Sequence, residues 1–325
     1  MPVLPGDDPA ALAAAARQLA AGELLAFPTE TVYGLGARAD DDAAVARIFA
    51  AKGRPADHPL IVHVAGLDQA ARFAASLPEP ARRLAAAFWP GPVTVIVPRA
   101  AGVGAAAAGG QDSIGLRCPA HPVALALLRA AAALGVAGVA GPSANRFGRV
   151  SPTSAAHVVQ EFGDALWVLD GGDCTVGIES TIVDCSRGRP VLLRPGVLTR
   201  AQLEAALGEP LQAADAAAPR ASGTLASHYA PRARVRLWAP DALAWALHDG
   251  KECPPALAVY SRQTAAERPG LRWQPQPDEP AAVAHDLFAV LRRFDDEGAA
   301  EIWVELPPDE PAWEGVRDRL RRAAA

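Results

Sequence analysis

The sequence predicts an α/β protein with two domains, and three observations support this prediction. Apolar segments of strand length alternate with longer amphipathic segments of helix length along the first 200 residues. Hairpin-like stretches at 180–184 and 190–193 exclude a purely parallel sheet there. After an Ala- and Pro-rich segment at 208–227, the alternation of strands and helices starts again. We therefore expect a larger mixed-sheet domain, a linker and a smaller α/β domain.

The larger domain is assigned to residues 8–200. Gly22 ends the first amphipathic helix, and Gly53 and Pro55 end the second. The polar stretch 28–36, punctuated by glycine, is interpreted as a turn. Strands are predicted at 24–27, 60–64, 93–97, 113–117, 136–140, 166–169, 180–184 and 190–193, and helices at 7–21, 41–51, 67–76, 80–88, 121–133, 154–162 and 199–207.

The second domain is assigned to residues 234–325, with 201–233 as the linker. Its pattern predicts three strands, each followed by a helix, which favours a mostly parallel sheet in a small three-layer domain. The strands are expected at 235–238, 256–260 and 301–305, and the helices at 240–247, 281–294 and 312–323.

Composition limits the class of partner. The chain has 325 residues and a net charge of −5, and only Lys52 and Lys251 are lysines. Such a chain is not suited to bind a polyanion nonspecifically, so any bound anion must meet a local cationic cluster. The four cysteines show no zinc-ligand spacing. The first residues lack the pattern of a secretory signal, and the expected location is cytoplasmic.

The loop that follows the apolar run 136–140 is the first candidate functional segment. It contains Gly141, Ser143, Ser151 and Asn145, the only asparagine in the chain. In a composition that avoids asparagine, its retention here suggests a chemical role. The alternative is that Asn145 occupies a turn position with positive φ, which asparagine tolerates. Both explanations stay open at this level.

Cationic and hydroxyl side chains recur at the ends of predicted strands and helices. Lys52 and Arg54 flank Gly53 and combine a compact charge with a planar fork, which suits a phosphate chain. A solvated surface pair is the alternative. No phosphate loop, nucleophile elbow or metal-binding histidine pattern is present. The other candidates are His58, His63, Arg117, Arg194, Thr29, Thr31, Ser113 and Ser180.

Eight motifs in order make the sequence similar to the threonylcarbamoyl-AMP synthases, the YrdC-like family. They extend to residue 196, and His228-Tyr-Ala-Pro231 resembles the longer, two-domain members. The motifs are Pro28-Thr-Glu-Thr-Val-Tyr-Gly-Leu-Gly36, Lys52-Gly-Arg-Pro55, His58-Pro-Leu60, Trp89-Pro-Gly-Pro92, Gly141-Pro-Ser-Ala-Asn145, Ser151-Pro-Thr153, Gly177-Ile-Glu-Ser-Thr181 and Leu193-Arg-Pro-Gly196.

The resemblance implies a fold and a reaction. The fold is a YrdC-like twisted mixed-sheet catalytic domain, a linker and a Rossmann-like C-terminal domain. L-threonine, bicarbonate and ATP give threonylcarbamoyl-AMP and pyrophosphate, with Mg²⁺ expected on the triphosphate. A downstream transferase complex then modifies the adenosine beside the anticodon of tRNA. Two anions must meet in this reaction, which demands local positive charge and positioning but no side-chain nucleophile.

The resemblance also implies residue roles. His58 and Ser113 depart from the asparagine and threonine that are common at these positions, and both keep hydrogen-bonding groups. The catalytic set is Lys52, Arg54, Ser143 and Asn145. The ATP set is Arg54, His58, Ser113, Ser143, Ser151, Arg194 and Tyr229, with Tyr229 part of a lid. The threonine set is Thr31, His63, Arg117, Gly141 and Ser180. No metal ligands are assigned.

Two other functions remain as alternatives. An RNA-binding module of the YrdC-like type would lack adenylating activity, and the charge balance of 1–200, which is zero, argues against it. A carbamoyl-adenylate enzyme of the hydrogenase-maturation type would carry zinc-finger-like cysteines and an acylphosphatase-like domain, and the sequence has neither.

Overall fold

In a computed structural model that describes residues 3–263 and 270–325, the first part of the chain forms a ten-stranded mixed sheet. The strands lie in the order β1-β8-β2-β3-β7-β4-β6-β5-β9-β10, with parallel and antiparallel neighbours mixed as expected. Their bounds are β1 Val3–Pro5, β2 Leu25–Phe27, β3 Gly34–Arg38, β4 Ile61–His63, β5 Val93–Pro98, β6 Ser113–Arg117, β7 Val139–Ala140, β8 Trp167–Asp170, β9 Thr181–Asp184 and β10 Val191–Arg194.

Seven helices accompany this sheet, and their ends follow from local chemistry. The Asp8 and Asp41 side chains cap the first two helices, and Gly53, with φ of 65°, ends the second in the left-handed region. Thr199 and Gln202 form a capping box on the seventh. The bounds are α1 Pro9–Ala20, α2 Asp42–Lys52, α3 Leu67–Phe73, α4 Glu79–Phe88, α5 Pro122–Ala133, α6 Ala155–Phe162 and α7 Arg200–Leu207.

The C-terminal part forms a separate four-stranded sheet in the order β11-β14-β12-β13, with every neighbouring pair parallel. This confirms the predicted α/β class and the parallel sheet. The strands are β11 Arg234–Trp238, β12 Leu257–Ser261, β13 Arg272–Pro275 and β14 Glu301–Glu305, and the helices are α8 Pro240–Asp249, α9 Pro280–Asp296 and α10 Glu314–Ala323.

Three strands were not predicted, and the strand predicted at 136–140 and the helix predicted at 67–76 were each three residues too long; the helix ends at Phe73 because Ala74 is extended. β3 overlaps the end of the stretch 28–36 predicted as a turn; a Cβ on its Gly36 would meet Val139 Cγ1 at 2.9 Å, so the strand needs glycine for close approach. β1 and β13 are short strands at sheet edges. In the apolar run 136–140, only Val139–Ala140 pairs as a strand.

The linker runs back over the first sheet before the second sheet begins. Arg220 bonds reciprocally with the side chain of Gln111, and the N–H of Ala230 donates to the Gly148 carbonyl. Val32 and Ile178 of the first part share one buried cluster with the C-terminal residues. The linker and C-terminal part therefore cover one end of the large sheet. The domain limits at 200 and 234 stay a prediction.

Within residues 3–263 and 270–325, none of the helices combines the length and apolar character needed to cross a bilayer.

Candidate active site

A cleft with about 470 Å³ of space not filled by atoms lies between the strand ends of the large sheet and the linker. Nine of the fourteen predicted site residues line it: Thr31, Arg54, His63, Arg117, Gly141, Ser143, Ser180, Arg194 and Tyr229. Its remaining lining residues are Thr29, Val32, Gly34, Ile61, Pro142, Glu179, Ser222, Gly223 and His228. The structure thus brings together residues that are up to 200 positions apart in the chain, from Thr29 to Tyr229.

Arg117, at the end of β6, is the buried cation on the side of the cleft that the strand ends form. Its Nη2 lies 2.7 Å from Glu30 Oε1, its Nη1 donates to Thr31 Oγ1 at 2.8 Å, and its Nε donates to the Gly91 carbonyl. Thr31 Oγ1 also lies 2.9 Å from Thr29 Oγ1. The guanidinium is therefore held rigidly, beside a hydroxyl pair that faces the cleft.

His63, at the end of β4, is neutral at physiological pH. Burial, with a further contribution from Arg117, lowers the pKa of His63 to about 3. Its Nδ1 is buried and has no hydrogen-bond partner in the described part of the chain. A Cβ on Gly141 would lie 3.0 Å from this atom, so glycine allows the loop after β7 to pass close to the imidazole.

Arg54 and Arg194 are the cations on the side of the cleft that faces the linker, where both bond to Ser222. Arg54 Nη2 donates to the Pro59 carbonyl at 2.9 Å, while Arg194 donates to the carbonyl and hydroxyl of Ser180 and to the Ser222 carbonyl. In the residues that the structure describes, neither has a carboxylate ion-pair partner. Burial and, to a smaller extent, Arg194 lower the pKa of Arg54 to about 10, so both stay charged and available to an anion.

Lys52 and Asn145 lie beneath the cleft. Lys52 Nζ donates to the carbonyls of Ser143 and Asn145, and Asn145 Nδ2 donates to the carbonyls of Arg146 and Arg149. These bonds hold the loop on which Ser143 faces the cleft. The positive-φ explanation for Asn145 was wrong, because Tyr229 is the described non-glycine residue with positive φ. Burial, together with Arg54, lowers the pKa of Lys52 well below its ordinary value.

His58, Ser113 and Ser151 also lie outside the cleft lining. His58 is half-buried with its ring 5.5 Å from that of Phe147. Ser113 lines a smaller neighbouring cavity that shares Ile61 and Ser222 with the cleft. Ser151 is fully buried, and its hydroxyl donates to Glu179 Oε1. The structure does not bring these three side chains to the cleft surface.

Tyr229 closes the cleft from the linker side. Its φ is 64°, its ring is buried against His228 and Phe288, and its hydroxyl has no partner among the described residues. A Cβ on Gly223 would lie 2.3 Å from that hydroxyl. The linker therefore packs tightly at this point, and the phenol oxygen faces other cleft groups without a bond.

Four functional candidates were missed by the sequence reasoning. Glu30 and Glu179 stand inside quoted motifs, so an acidic residue among hydroxyl residues was the available signal. Ser222 lies in the linker, where no pattern distinguishes it. Arg319 lies on α10, and its fully buried side chain forms an ion pair with Glu179 at 2.8 Å. An arginine in an amphipathic helix gives no sequence signal for such burial.

The carboxylates near the cleft do not fit a protein-held magnesium site. No three His, Cys, Asp or Glu side chains in the described ranges are arranged to hold a metal ion. Glu30 is paired with Arg117, and Glu179 is bonded to Ser151 and Arg319. Both carboxylates are therefore already neutralised by the protein.

Comparison with known proteins identifies the family. A family model described as "Telomere recombination" (Sua5_yciO_yrdC) matches residues 17–196, and one described as "Threonylcarbamoyl-AMP synthase, C-terminal domain" (Sua5_C) matches residues 198–325. The threonylcarbamoyl-AMP synthase of Pyrococcus abyssi is 38% identical over 319 residues, covering 93% of this chain and 91% of the relative. That of Bacillus subtilis is 36% identical over 330 residues, covering 96% and 92%.

A solved structure has the same two-part architecture. The crystal structure of P. abyssi Sua5 complexed with L-threonine matches with a TM-score of 0.88 and 36% identity, covering 98% of this chain and 95% of that one. The Escherichia coli YciO structure, at 22% identity and a TM-score of 0.50, shares the fold over 60% of the chain. The chain belongs to the threonylcarbamoyl-AMP synthase family, in its two-domain Sua5 form.

Proposed function

We propose that the cleft is the site at which this enzyme makes threonylcarbamoyl-AMP and pyrophosphate from L-threonine, bicarbonate and ATP. The observation that carries this assignment is the separation of two kinds of buried cation. Arg117 is paired with the Glu30 carboxylate and bonded to the Thr31 hydroxyl, whereas Arg54 and Arg194 have no carboxylate ion-pair partner in the described ranges. One cation is suited to an amino-acid carboxylate, and the other two are suited to a triphosphate.

Threonine is proposed to bind among Thr31, His63, Arg117, the Gly141 backbone and Ser180. Among the described residues, Gly91, Thr31 and Glu30 occupy three of the five N–H donors of the Arg117 guanidinium, so donors are left for a substrate carboxylate. The neutral imidazole of His63 has a free Nδ1 that can accept a hydrogen bond from the amine. These groups orient the amine without supplying a covalent nucleophile.

The chemistry then needs two bond-forming steps. The threonine nitrogen attacks the carbon of bicarbonate or carbon dioxide to form a carbamate, losing water or a proton. A carbamate oxygen attacks the α-phosphorus of ATP, and pyrophosphate leaves with its electron pair. Arg54 and Arg194 are proposed to balance the charge that develops on the phosphates, with Ser143 and Tyr229 nearby. Burial raises the pKa of the Cys118 thiol, which follows Arg117 in the chain, to about 11, so this thiol stays protonated at neutral pH.

Lys52, His58, Ser113, Asn145 and Ser151 are proposed to contribute at one remove. Lys52 and Asn145 hold the Ser143 loop through backbone carbonyls, and Ser113 lines the neighbouring cavity. ATP is larger than the part of the cleft proposed for its triphosphate, so the rest of the molecule must extend beyond the cleft. The cavity lined by Ser113 is the adjoining space. Mg²⁺ is proposed to accompany ATP on phosphate oxygens and water.

The product is proposed to pass to a downstream transferase complex that modifies tRNA, which places the reaction in the cytoplasm. An RNA-binding module without adenylating activity is not favoured, because Arg54, Arg117 and Arg194 are buried side chains that line a cleft. RNA recognition relies on exposed cationic and aromatic groups instead.

Pyrophosphate release from the purified full-length chain tests the assignment. We expect release to require ATP, L-threonine and bicarbonate together, and mass spectrometry to show threonylcarbamoyl-AMP. ATP turnover that ignores either threonine or bicarbonate would contradict the proposed function. Tight tRNA binding without ATP turnover would favour the RNA-binding alternative.

A further inference from the structure

A buried ion pair joins the C-terminal domain to the cleft. Glu179 lies on the loop before β9, and Arg319 lies on α10. The Nε of Arg319 donates to Glu179 Oε2 at 2.8 Å, and its Nη2 donates to the Glu179 carbonyl at 3.1 Å. The Arg319 side chain is 0% exposed, and Glu179 lines the cleft. The proposed reaction has so far given this pair no role.

The pair contacts the cleft on two sides. The other carboxylate oxygen of Glu179 accepts the Ser151 hydroxyl. The Arg319 guanidinium carbon lies 5.4 Å from the Tyr229 ring centre, and Nη1 donates to the carbonyl of Pro195, the residue after Arg194. The Arg319 side chain thus reaches Tyr229 directly, Ser151 through Glu179, and Arg194 through its neighbour Pro195. All three belong to the set proposed for ATP.

The backbone around this pair leaves no room for movement. A Cβ on Gly177, whose φ is +85°, would lie 2.3 Å from the Ala284 carbonyl oxygen on α9. A Cβ on Gly315 of α10 would lie 2.2 Å from the Gly196 carbonyl oxygen. Helices α9 and α10 therefore press on both loops that carry the ATP-side residues.

We propose that Arg319 is a positioning residue of the synthase reaction, which contacts the Tyr229 ring directly and holds the buried Ser151 through Glu179, next to the ATP side of the cleft. This inference rests on the proposed function. Arg319 touches neither substrate nor reacting atoms in this assignment. Its role is to make one charged group of the C-terminal domain part of the catalytic architecture.

The physical reason is that a buried carboxylate needs a cation. Burial by itself raises the pKa of Glu179, while Arg319, Arg194 and the Ser151 hydroxyl lower it, and the net direction is down. Without Arg319, the balance moves toward a protonated Glu179, which no longer accepts the Ser151 bond in the same way. The charged or titratable groups around this carboxylate are Arg319, Asp318, Arg194, Lys52, His228 and Tyr229.

Arg319→Met, with Arg317→Met as the matched control on the same helix, tests the role. Arg317 contacts Pro307 and Asp309 within the C-terminal domain. We expect Arg319→Met to lower kcat/KM for ATP in pyrophosphate release by about 10–100-fold, as when an outer group that orients a ligand-contacting residue is removed. Arg317→Met should stay within about twofold of the wild type, because the partners of this half-buried side chain lie inside the C-terminal domain and away from the cleft. Arg319→Lys, which keeps the charge, should recover part of the loss.

A pH profile separates positioning from a structural role. Since a protonated Glu179 is inactive in this proposal, the activity of Arg319→Met should rise from about pH 6 to pH 9 relative to wild type. In Glu179→Gln/Arg319→Met that extra rise should vanish, because no carboxylate remains to titrate. A merely destabilised enzyme would instead show a lower Tm and an unchanged relative profile.

The proposal would be overturned if Arg319→Met kept the kcat/KM for ATP and the pH profile of the wild type. It would also be overturned if kcat/KM fell while the relative pH profile stayed unchanged. If Arg319→Met does not fold, Glu179→Gln decides: a fall of about tenfold or more in kcat/KM for ATP supports the proposal, because the Ser151 acceptor has changed. Wild-type values overturn it. If wild type and Arg317→Met both release no pyrophosphate, the proposed function itself has failed.

Discussion

The two walls of the cleft are built in different ways. One wall consists of strand ends of the large sheet, and Arg117 and His63 on it are fixed by the β4–β6 ladder. The other wall is linker without regular structure, and Ser222 and Tyr229 on it are held by side chains and by helices of the second domain. The comparison suggests a preformed amino-acid side and an ATP side that depends on long-range contacts.

The largest expected effect comes from two cations of the proposed catalytic set, Arg54 in the cleft and Lys52 beneath it. Arg54→Ala should lower kcat for pyrophosphate release by roughly 10²–10³, as when one preorganised charge-stabilising donor is lost. Lys52→Ala should lose rate to a similar degree and also lower Tm, because two loop carbonyls lose their donor. Arg47→Ala, at a half-exposed ion pair on α2, is the control. Near-normal turnover in Arg54→Ala would remove its proposed role.

The loss of unfolding free energy at low pH should report the rigidity of the two walls, because each wall contains one buried histidine, His63 or His228. Burial lowers the pKa of His63 and of His228 to about 3 in the folded protein, below the ordinary value of 6.5. Between these values the unfolded chain binds more protons, so stability is present above about pH 6.5 and is lost as pH falls toward 3. From pH 7 to 5, each histidine should cost on the order of 2 kcal/mol of unfolding free energy.

Urea denaturation of His63→Gln and His228→Gln at both pH values measures the two contributions. We expect the His63 contribution to be the larger, since local opening of the linker would let His228 protonate without global unfolding. Equal contributions would show that the linker wall is as rigid as the strand wall.

The smallest effect is expected from a single methyl group in the linker wall. A Cβ on Gly223 would lie 2.3 Å from Tyr229 Oη and 2.8 Å from Arg194 Nη1, at a φ of +72°. Gly223→Ala should raise KM for ATP about tenfold, which corresponds to about 1.4 kcal/mol, and leave KM for threonine unchanged. Gly188→Ala is the matched control, because its φ is +77° and an added Cβ would have no atom of the described residues within 4 Å beyond its own chain neighbours. An equal change in the KM for ATP and the KM for threonine would contradict the inference that the two walls act independently.

Elements with strong local patterns were the ones that sequence reasoning located well. The strands Ser113–Arg117 and Glu301–Glu305 have the predicted bounds, since alternating or continuous apolar residues mark a buried strand. β3 was missed because Gly34 and Gly36 carry no strand preference, and their presence reflects the close approach of Phe27 and Val139. That approach is a property of the packed sheet and leaves no local pattern.

The candidate site shows the same division. Motifs located Arg54 and Arg194, and placement at a strand end located Arg117, in positions that line the cleft, because residue type and strand-end placement are local features. They did not reveal that the Ser151 hydroxyl donates a hydrogen bond to Glu179 and does not face the cleft. Which side chain faces substrate and which supports a neighbour depends on hydrogen bonds between distant segments.

The sequence by itself determined the α/β class, the order of the motifs and the residue types that suit two anionic substrates. Periodicity, turn chemistry and charge are local quantities, and they are legible in the chain. Only the tertiary structure decided that the linker closes the cleft with Tyr229 and that Arg319 reaches Glu179 from the second domain. The Arg319–Glu179 contact joins residues 140 positions apart, and the burial that makes an unpaired charge costly there exists only after the two domains have packed.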